Sequence, residues 1–328
     1  MKTQIGEDVH IAAAFLKAGE LVAIPTETVY GLAGNALSEE SVAKIYAAKN
    51  RPSFNPLILH VANIAQINDY AFVDEISMKL AEHFMPGPLT LLLPKKTKVP
   101  DITTAGSKKV AIRIPNQRLT LDLLAQLDFP LAAPSANPSG YISPTNAHHV
   151  MEGLHGKIPY ILDGGNTTVG LESTICEVAN NIIILHRAGS VTAAALSAIS
   201  GLDVIETAAY HAPDISDHST DSPATPGQLK SHYAPHTPLF MGNIEELIHA
   251  HIGKKIAVIS FNNRYEGVDN FILAPDHQLS TAASKLFATL RSIDQSDYDV
   301  ILSEVFPNEG IGIAINDRIG RAQFILKH

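Results

Sequence analysis

The chain has 328 residues, of which 45% are hydrophobic and 17% are charged, a composition that excludes a disordered protein. Its length favours two domains, because a single core rarely grows beyond about 250 residues. The formal charge is −9, from 24 Lys and Arg against 33 Asp and Glu, which argues against a dedicated nucleic-acid-binding surface.

Three features predict a cytoplasmic protein with no stable membrane contact. The acidic Glu7 and Asp8 precede only a short apolar run, unlike the basic start of a secretory signal. The longest apolar stretches, such as residues 89–93, are far shorter than the roughly 20 residues that span a bilayer. A single cysteine, Cys176, excludes an internal disulfide and any zinc site built on two or more cysteines.

Helix and strand signals alternate over the first two hundred residues. Helices are predicted at residues 8–19, 38–50, 75–84 and 191–199. Asp8 and Ser38 are the expected N-caps of the first two, and Ser143, just before Pro144, is expected to cap a further helix. Strands are predicted at residues 21–24, 57–61, 89–93, 110–114, 130–133, 160–162, 173–178 and 182–185. The alternation over residues 110–114 places Arg113 off the core face.

A stretch without Lys or Arg separates the two halves of the chain. It runs from Arg187 to Lys230, and residues 210–226 are rich in Ser, Thr, Asp, Pro and His with no apolar period, which is typical of a linker. A second α/β pattern follows, with helices predicted at 244–251, 280–293 and 316–322 and strands at 256–259 and 300–302. The predicted division is a first domain over 1–207, an interdomain linker over 208–236 and a second domain over 237–328.

Basic and hydroxyl residues gather at the ends of the predicted elements. Taken alone, each has an ordinary explanation: a solvated helix end for Lys49 and Arg51, a core histidine for His60. As a set, Lys49, Arg51, Arg113 and Arg187 lie beside loops rich in glycine, proline and hydroxyls, which suits a small polyanionic ligand together with a carboxylate. A Walker A motif, a dinucleotide-binding GxGxxG and a GxSxG elbow are absent. The sequence therefore indicates phosphate chemistry without a standard P-loop.

The motifs occur in the order PTETVYGL, AKNRP with NPLILHV, PGPLTLLL, VAIRIP, APSAN followed by SPT, DGG with GLESTI, and HRAGS. Together they resemble the YrdC-like threonylcarbamoyl-AMP synthases over about residues 21–190. PGQLKSHYAP at 226–235 and the terminal GIGIAINDRIGRA resemble the long, two-domain form of that enzyme. The resemblance implies an α/β fold, in which a YrdC-like twisted mixed sheet with surrounding helices is followed by a smaller Rossmann-like domain.

The resemblance also implies an activity. L-threonine, bicarbonate and ATP would become L-threonylcarbamoyladenylate and pyrophosphate, a nucleotidyltransferase reaction that begins threonylcarbamoyl-adenosine synthesis on tRNA. The product would pass to a tRNA threonylcarbamoyl-transferase, with tRNA binding to this chain weak or absent. Mg²⁺ would arrive with ATP, because no carboxylate cluster marks a protein-held metal site, and no organic cofactor is expected.

Carried over motif by motif, the resemblance implies the site residues. Threonine would be held by Thr28, His60, Arg113, the backbone at Ala133, and Ser173. ATP would be held by Arg51, Asn55, Lys109, Ser135, Asn137, Ser143, Arg187 and Tyr233. Lys49 and Arg51 would be catalytic, since positioning and charge stabilisation dominate phosphoryl chemistry of this kind. The segment around Tyr233, at the end of the linker, would fold over the nucleotide as a lid.

Two other classes compete with this interpretation. An RNA-binding module of the translation apparatus would share the domain, but the net negative charge and the lack of aromatic RNA-binding motifs argue against it. A salt-dependent affinity for tRNA would favour it. The related carbamoyltransferase of hydrogenase maturation needs cysteine-rich zinc modules, which a single cysteine excludes.

Overall fold

The computed structural model describes residues 2–206 and 233–323, which form two sheets with helices around them. Most of the predicted linker and lid, residues 208–232, lies outside these described residues. No helix within the described ranges is both long and apolar enough to cross a membrane.

The first unit, over residues 2–206, builds one mixed sheet of eleven strands. The strands are β1 (Gln4–Gly6), β2 (Val22–Ile24), β3 (Gly31–Asn35), β4 (Ile58–His60), β5 (Leu89–Pro94), β6 (Lys109–Arg113), β7 (Leu131–Ala132), β8 (Tyr160–Leu162), β9 (Thr174–Ala179), β10 (Ile182–Arg187) and β11 (Val204–Glu206). Their order across the sheet is β1-β8-β2-β3-β7-β4-β6-β5-β9-β10-β11. Because β4 runs parallel to β6 while β5 runs antiparallel to it, the expected mixed sheet is confirmed.

Helices surround this sheet, and α1, α2, α4 and α7 begin within two residues of the predicted starts. They are α1 (Val9–Lys17), α2 (Glu39–Lys49), α3 (Ile67–Tyr70), α4 (Glu75–Phe84), α5 (Arg118–Leu124), α6 (Ala147–Leu154) and α7 (Ala193–Ser200). The Asp8 carboxylate accepts from the N–H groups at the start of α1, and Ser38 caps α2, so both predicted N-caps are confirmed.

The predicted N-cap at Ser143 is wrong. Helix α6 begins later, at Ala147, and the side chain of Asn146 accepts from His149 N instead. Ser143 Oγ donates to a carboxylate oxygen of Glu172, 2.5 Å away, a partner far along the chain. The local pattern that predicted an N-cap at Ser143 was therefore outweighed by the tertiary contact with Glu172.

One face of the first sheet carries the core. Val42 and Ile45 of α2 and Leu80 of α4 pack in one cluster with Leu59 of β4 and Ile112 of β6. Such aliphatic side chains contribute roughly 1.5 to 3 kcal/mol each when fully buried. The sheet is thereby fixed against these helices, and a second cluster packs Leu16 of α1 and Leu123 of α5 against other strand residues such as Ile24.

The carboxyl ends of β4 and β6 carry a pair of polar groups. His60 and Arg113 are register partners at the end of the two parallel strands. Val110 and Ile112 belong to the core cluster, so Arg113 leaves the core face as predicted, although it is itself only 3% exposed. A cation buried at a strand end needs partners or a ligand.

The second unit, over residues 239–322, is a parallel α/β sheet. Its elements are β12 (Leu239–Met241), α8 (Ile244–Ala250), β13 (Ile256–Ser260), β14 (Asp269–Ile272), α9 (Leu279–Asp294), β15 (Val300–Ser303) and α10 (Ile311–Ala322). The strand order is β12-β15-β13-β14 and every pair is parallel, which confirms the expected Rossmann-like arrangement. Helix α10 begins five residues before the predicted start at 316.

The two units share part of a core. Val29, Ile142 and Leu171 of the first unit pack in one cluster with Phe287 and other residues of the second. Gly170, just before Leu171, has a φ of +75°, and an added Cβ there would lie 2.6 Å from the backbone of Ser284 in α9. The backbones of the two units therefore meet at a point where only glycine fits.

We expect Gly170→Ala to destabilise the protein by at least about 2 kcal/mol more than Gly165→Ala, because overpacking adds to backbone strain. Gly165 is the matched control: its φ is +76°, and nothing lies within 4 Å of an added Cβ. Urea unfolding of both variants at equal protein concentration measures the difference. Equal losses would show that the contact with α9 contributes nothing to stability.

Candidate active site

A cavity opens where the carboxyl ends of β4 and β6 meet the loops that follow β2 and β7 and precede β9. It contains about 520 Å³ of space between atoms, part of which is open to solvent. Its lining comprises Thr26, Thr28, Val29, Gly31, Arg51, Ile58, His60, Arg113, Ala133, Pro134, Ser135, Glu172, Ser173, Arg187 and Tyr233. Three buried arginines around one cavity mark a site for an anion.

Arg113 forms a buried ion pair at one end of the cavity. Its Nη2 donates to Glu27 Oε1 at 2.5 Å, and its Nη1 donates to Thr28 Oγ1 at 3.0 Å. Glu27 also accepts from the N–H of Asn116, which fixes the carboxylate. The Nε of Arg113 is buried without a hydrogen-bond partner, so one donor of the guanidinium is left for a ligand.

His60 lies beside Arg113 as a neutral side chain. Burial, and then the charge of Arg113, lowers the pKa of His60 to about 3. Its Nδ1 lies 3.2 Å from the carbonyl oxygen of Ile58, to which the neutral ring can donate. At neutral pH His60 is therefore a hydrogen-bonding group and adds no charge to the cavity.

Arg187 is held against Ser173, in the loop that leads into β9. Its Nε donates to Ser173 O at 2.9 Å and its Nη2 to Ser173 Oγ at 3.1 Å. Ser173 Oγ also lies 2.7 Å from Thr90 Oγ1. Burial lowers the pKa of Arg187 to about 10, so it stays charged at neutral pH.

Arg51 is anchored by carbonyl oxygens of its own loop. It donates to Asn55 O at 3.2 Å and to Pro56 O at 3.0 Å. Burial lowers its pKa to about 10. Carbonyl oxygens carry only partial charges, so much of the positive charge of Arg51 is available to a ligand.

Lys49 lies behind the cavity wall. Its Nζ donates to the carbonyl oxygens of Ser135 and Asn137, and only 1% of the residue is exposed. Burial, and then the charge of Arg51, holds the pKa of Lys49 well below its usual range. In this structure Lys49 holds the loop that presents Ser135 to the cavity.

Within the described residues, the lining leaves out five residues of the predicted site: Lys49, Asn55, Lys109, Asn137 and Ser143. The amide of Asn55 and the Oδ1 of Asn137 are buried without partners close behind the wall. Lys109 lies at the far end of β6, where its Nζ pairs with Glu177 on β9, and its side chain is 43% exposed. The structure thus brings together most of the predicted residues but not Lys109.

Two acidic residues complete the site without having been singled out as ligand contacts. Glu27 pairs with Arg113, and Glu172 accepts from Arg318 Nε at 2.9 Å. Both lie inside motifs, PTETVYGL and GLESTI, where a charged residue is flanked by hydroxyl side chains. An acidic residue within an otherwise small and uncharged segment is the signal that could have identified them.

A metal ion held by the protein does not fit this cavity. Glu172 in its lining is paired with Arg318, and Glu27, behind Arg113, is paired with that arginine. Across the described ranges, no group of three or more His, Cys, Asp and Glu side chains could hold a metal. A divalent cation that enters would be coordinated by oxygens of the ligand itself.

The chain is similar to known proteins over nearly its whole length. A family described as Telomere recombination matches residues 14–189, and one described as Threonylcarbamoyl-AMP synthase, C-terminal domain, matches residues 191–323. The threonylcarbamoyl-AMP synthase of Pyrococcus abyssi is 40% identical over 96% of this chain and 93% of its own, and that of Bacillus subtilis is 40% identical over 95% and 91%. The crystal structure of Pyrococcus abyssi Sua5 complexed with L-threonine has a TM-score of 0.86, at 38% identity over 98% of this chain and 96% of that one.

We expect His60 to make the protein less stable in acid. The folded pKa of about 3 lies below the ordinary value of 6.5, so the unfolded chain binds the extra proton between these values. The stabilisation that depends on a neutral His60 is complete above pH 6.5. As the pH falls, the free energy of unfolding decreases by at most about 1.4 kcal/mol per pH unit. Urea unfolding of the wild type and His60→Gln at pH 7, 6 and 5 tests this: the variant should lose less stability on acidification. Parallel pH profiles would contradict a neutral, buried His60.

Proposed function

The chain belongs to the threonylcarbamoyl-AMP synthase family, and we propose that its cavity joins L-threonine, bicarbonate and ATP into threonylcarbamoyl-AMP and pyrophosphate. The protein is a nucleotidyltransferase-type enzyme that uses threonine and ATP, as its relatives' names imply. The observation that carries the proposal is the cavity lined by Arg51, Arg113 and Arg187 together with hydroxyl side chains.

One end of the cavity suits the amino acid. We assign the carboxylate of threonine to Arg113, whose buried Nε lacks a protein partner. Thr28, the neutral His60 and Ser173 then offer hydrogen bonds to its hydroxyl and amine. The N–H of Ala133 already donates to Ile58 O, so its carbonyl is the backbone group that it can offer.

The other end suits the nucleotide. We assign the phosphates to Arg51 and Arg187, which both line the cavity; Arg51 is anchored by carbonyl oxygens and keeps much of its charge for a ligand. Ser135 and Tyr233 line the same cavity. Asn55, Asn137 and Ser143 lie close behind the wall, and we place them in the nucleotide site as well. Lys109, paired with Glu177, would reach it only after movement.

The proposed chemistry needs little covalent work from the protein. The uncharged amine of threonine attacks the carbon of bicarbonate, water leaves, and a carbamate forms. A carbamate oxygen then attacks the α-phosphorus of ATP, and pyrophosphate leaves. Arg51 and Arg187 would stabilise the charge that develops on the phosphates, and Lys49 would act by holding the loop of Ser135.

Mg²⁺ would come with ATP, coordinated by phosphate oxygens, and would neutralise part of their charge.

We propose that the product passes to a tRNA threonylcarbamoyl-transferase and that the enzyme acts in the cytoplasm, where such a partner meets tRNA. The net charge of −9 supports weak or absent tRNA binding to this chain. An RNA-binding module is not favoured, since the basic groups line a cavity and not an open surface.

We expect pyrophosphate release from ATP to require both threonine and bicarbonate. The assay measures pyrophosphate with each component left out in turn, in buffer freed of carbon dioxide. Serine should replace threonine with a loss of about 10- to 200-fold at most, because one methyl group contributes only about 1 to 3 kcal/mol. Full pyrophosphate release without bicarbonate would refute the proposed reaction.

We expect Arg113→Lys and Arg51→Gln to separate the two ends of the cavity. Arg113→Lys keeps the charge facing Glu27 but loses the forked geometry, so the KM for threonine should rise by about tenfold or more with little change for ATP. Arg51→Gln should lower kcat by about 10². Arg118→Gln is the control, since the Arg118 side chain is 88% exposed on α5. If both variants changed kcat and the KM values for threonine and ATP by the same factors, the assignment of Arg113 to threonine and Arg51 to the phosphates would be contradicted.

A further inference from the structure

The segment 170–173 of the first unit is held by two helices of the second. Gly170 lies against the backbone of α9, and Leu171 packs in the core of the second unit. Glu172 accepts from Arg318 of α10, and Glu172 and Ser173 line the cavity. The second unit therefore helps to build the wall of the site.

Arg318 is buried completely at this contact, with a side chain that is 0% exposed. Its Nε donates to Glu172 Oε2 at 2.9 Å, its Nη2 to Ala188 O at 2.9 Å and its Nη1 to Asp317 Oδ2 at 2.6 Å. A guanidinium with three well-placed acceptors is held rigidly. Arg318 therefore fixes two backbone regions of the first unit relative to α10.

Glu172 needs such a partner because of where it lies. It is 7% exposed, lines the cavity and has no lysine or arginine of the first unit among its hydrogen-bond donors within the described residues. Burial would raise the pKa of its carboxyl, but the charges of Arg318 and Arg187 and the bond from Ser143 lower it, so Glu172 is ionised. An ionised carboxylate beside a triphosphate repels it unless its charge is neutralised.

Tyr233 is the second residue of the cavity lining that Arg318 contacts. The guanidinium of Arg318 lies 5.5 Å from the centre of the Tyr233 ring, and that ring stacks on Phe287 of α9 at 5.4 Å. Tyr233 is 1% exposed, lines the cavity and has a φ of +65°, a strained backbone for a residue that is not glycine. Contacts from α9 and α10 hold the residue in this conformation.

We infer that Arg318 is a positioning residue for ATP: it neutralises Glu172 and fixes Glu172 and Tyr233 at the nucleotide end of the cavity. Ser143 completes the arrangement, because its hydroxyl donates to the other carboxylate oxygen of Glu172. The inference rests on the proposed function. The omission assay on the wild type tests that function separately, so a failure there and a failure at Arg318 are different results.

The test measures ATP and threonine binding to the full-length protein by titration calorimetry, together with both KM values. Arg318→Met should weaken ATP binding by about tenfold or more, because it leaves an unpaired buried carboxylate, and should change threonine binding by less than about threefold. Adding Glu172→Gln to Arg318→Met removes that carboxylate and should restore at least about threefold of the ATP affinity. A purely structural arginine would give no such recovery.

Arg321→Gln is the matched control. Arg321 lies one turn along α10 and also bonds to Asp317, so ATP binding should stay within about twofold of the wild type. If Arg318→Met does not fold, Arg318→Gln removes the charge but keeps a polar side chain, and adding Glu172→Gln should improve its ATP affinity in the same direction. Equal losses for threonine and ATP, or no recovery in the double variants, would overturn the inference.

Discussion

Burying positive charge around one cavity is the constraint on which the rest of the site depends. Arg51, Arg113, Arg187 and Arg318 are each at most 8% exposed, and an unpaired buried charge costs several kcal/mol. Arg113 and Arg318 are neutralised by carboxylates, whereas the guanidinium of Arg51 donates to carbonyl oxygens. The charge that the protein leaves unbalanced lies where an anionic substrate can balance it.

The need to balance buried charge also makes the second unit part of the site. Glu172 is ionised because an arginine from α10 reaches it across the boundary between the units. Gly170 and Leu171 are seated against the same unit. A cavity that forms a labile mixed anhydride gains from walls supported on both sides, since rigid walls exclude water and hold reactants in line.

Local signals predicted many elements well, and the failures have physical causes. Helix α4 spans the predicted residues 75–84, with Asp74 as N-cap and the proline-rich break after it. Strand β3 was not among the predicted strands, and its sequence GLAGN has low strand propensity. It pairs with β2 and β7, and a Cβ added at Gly34 would lie 2.9 Å from Leu21, so close packing requires glycine. Tertiary packing therefore outweighed the low strand propensity of this segment.

The sequence by itself determined the α/β class, the order of the motifs and the family, because these depend on periodicity and on short segments that are adjacent in the chain. It also indicated that basic residues at the ends of the elements would meet an anion. Only the tertiary structure decided that Lys49 supports a loop from behind the wall, that Ser143 donates to Glu172, and that Arg318 neutralises Glu172. These contacts join residues that are 29 to 146 positions apart, and no local pattern specifies which distant partner will satisfy a buried charge.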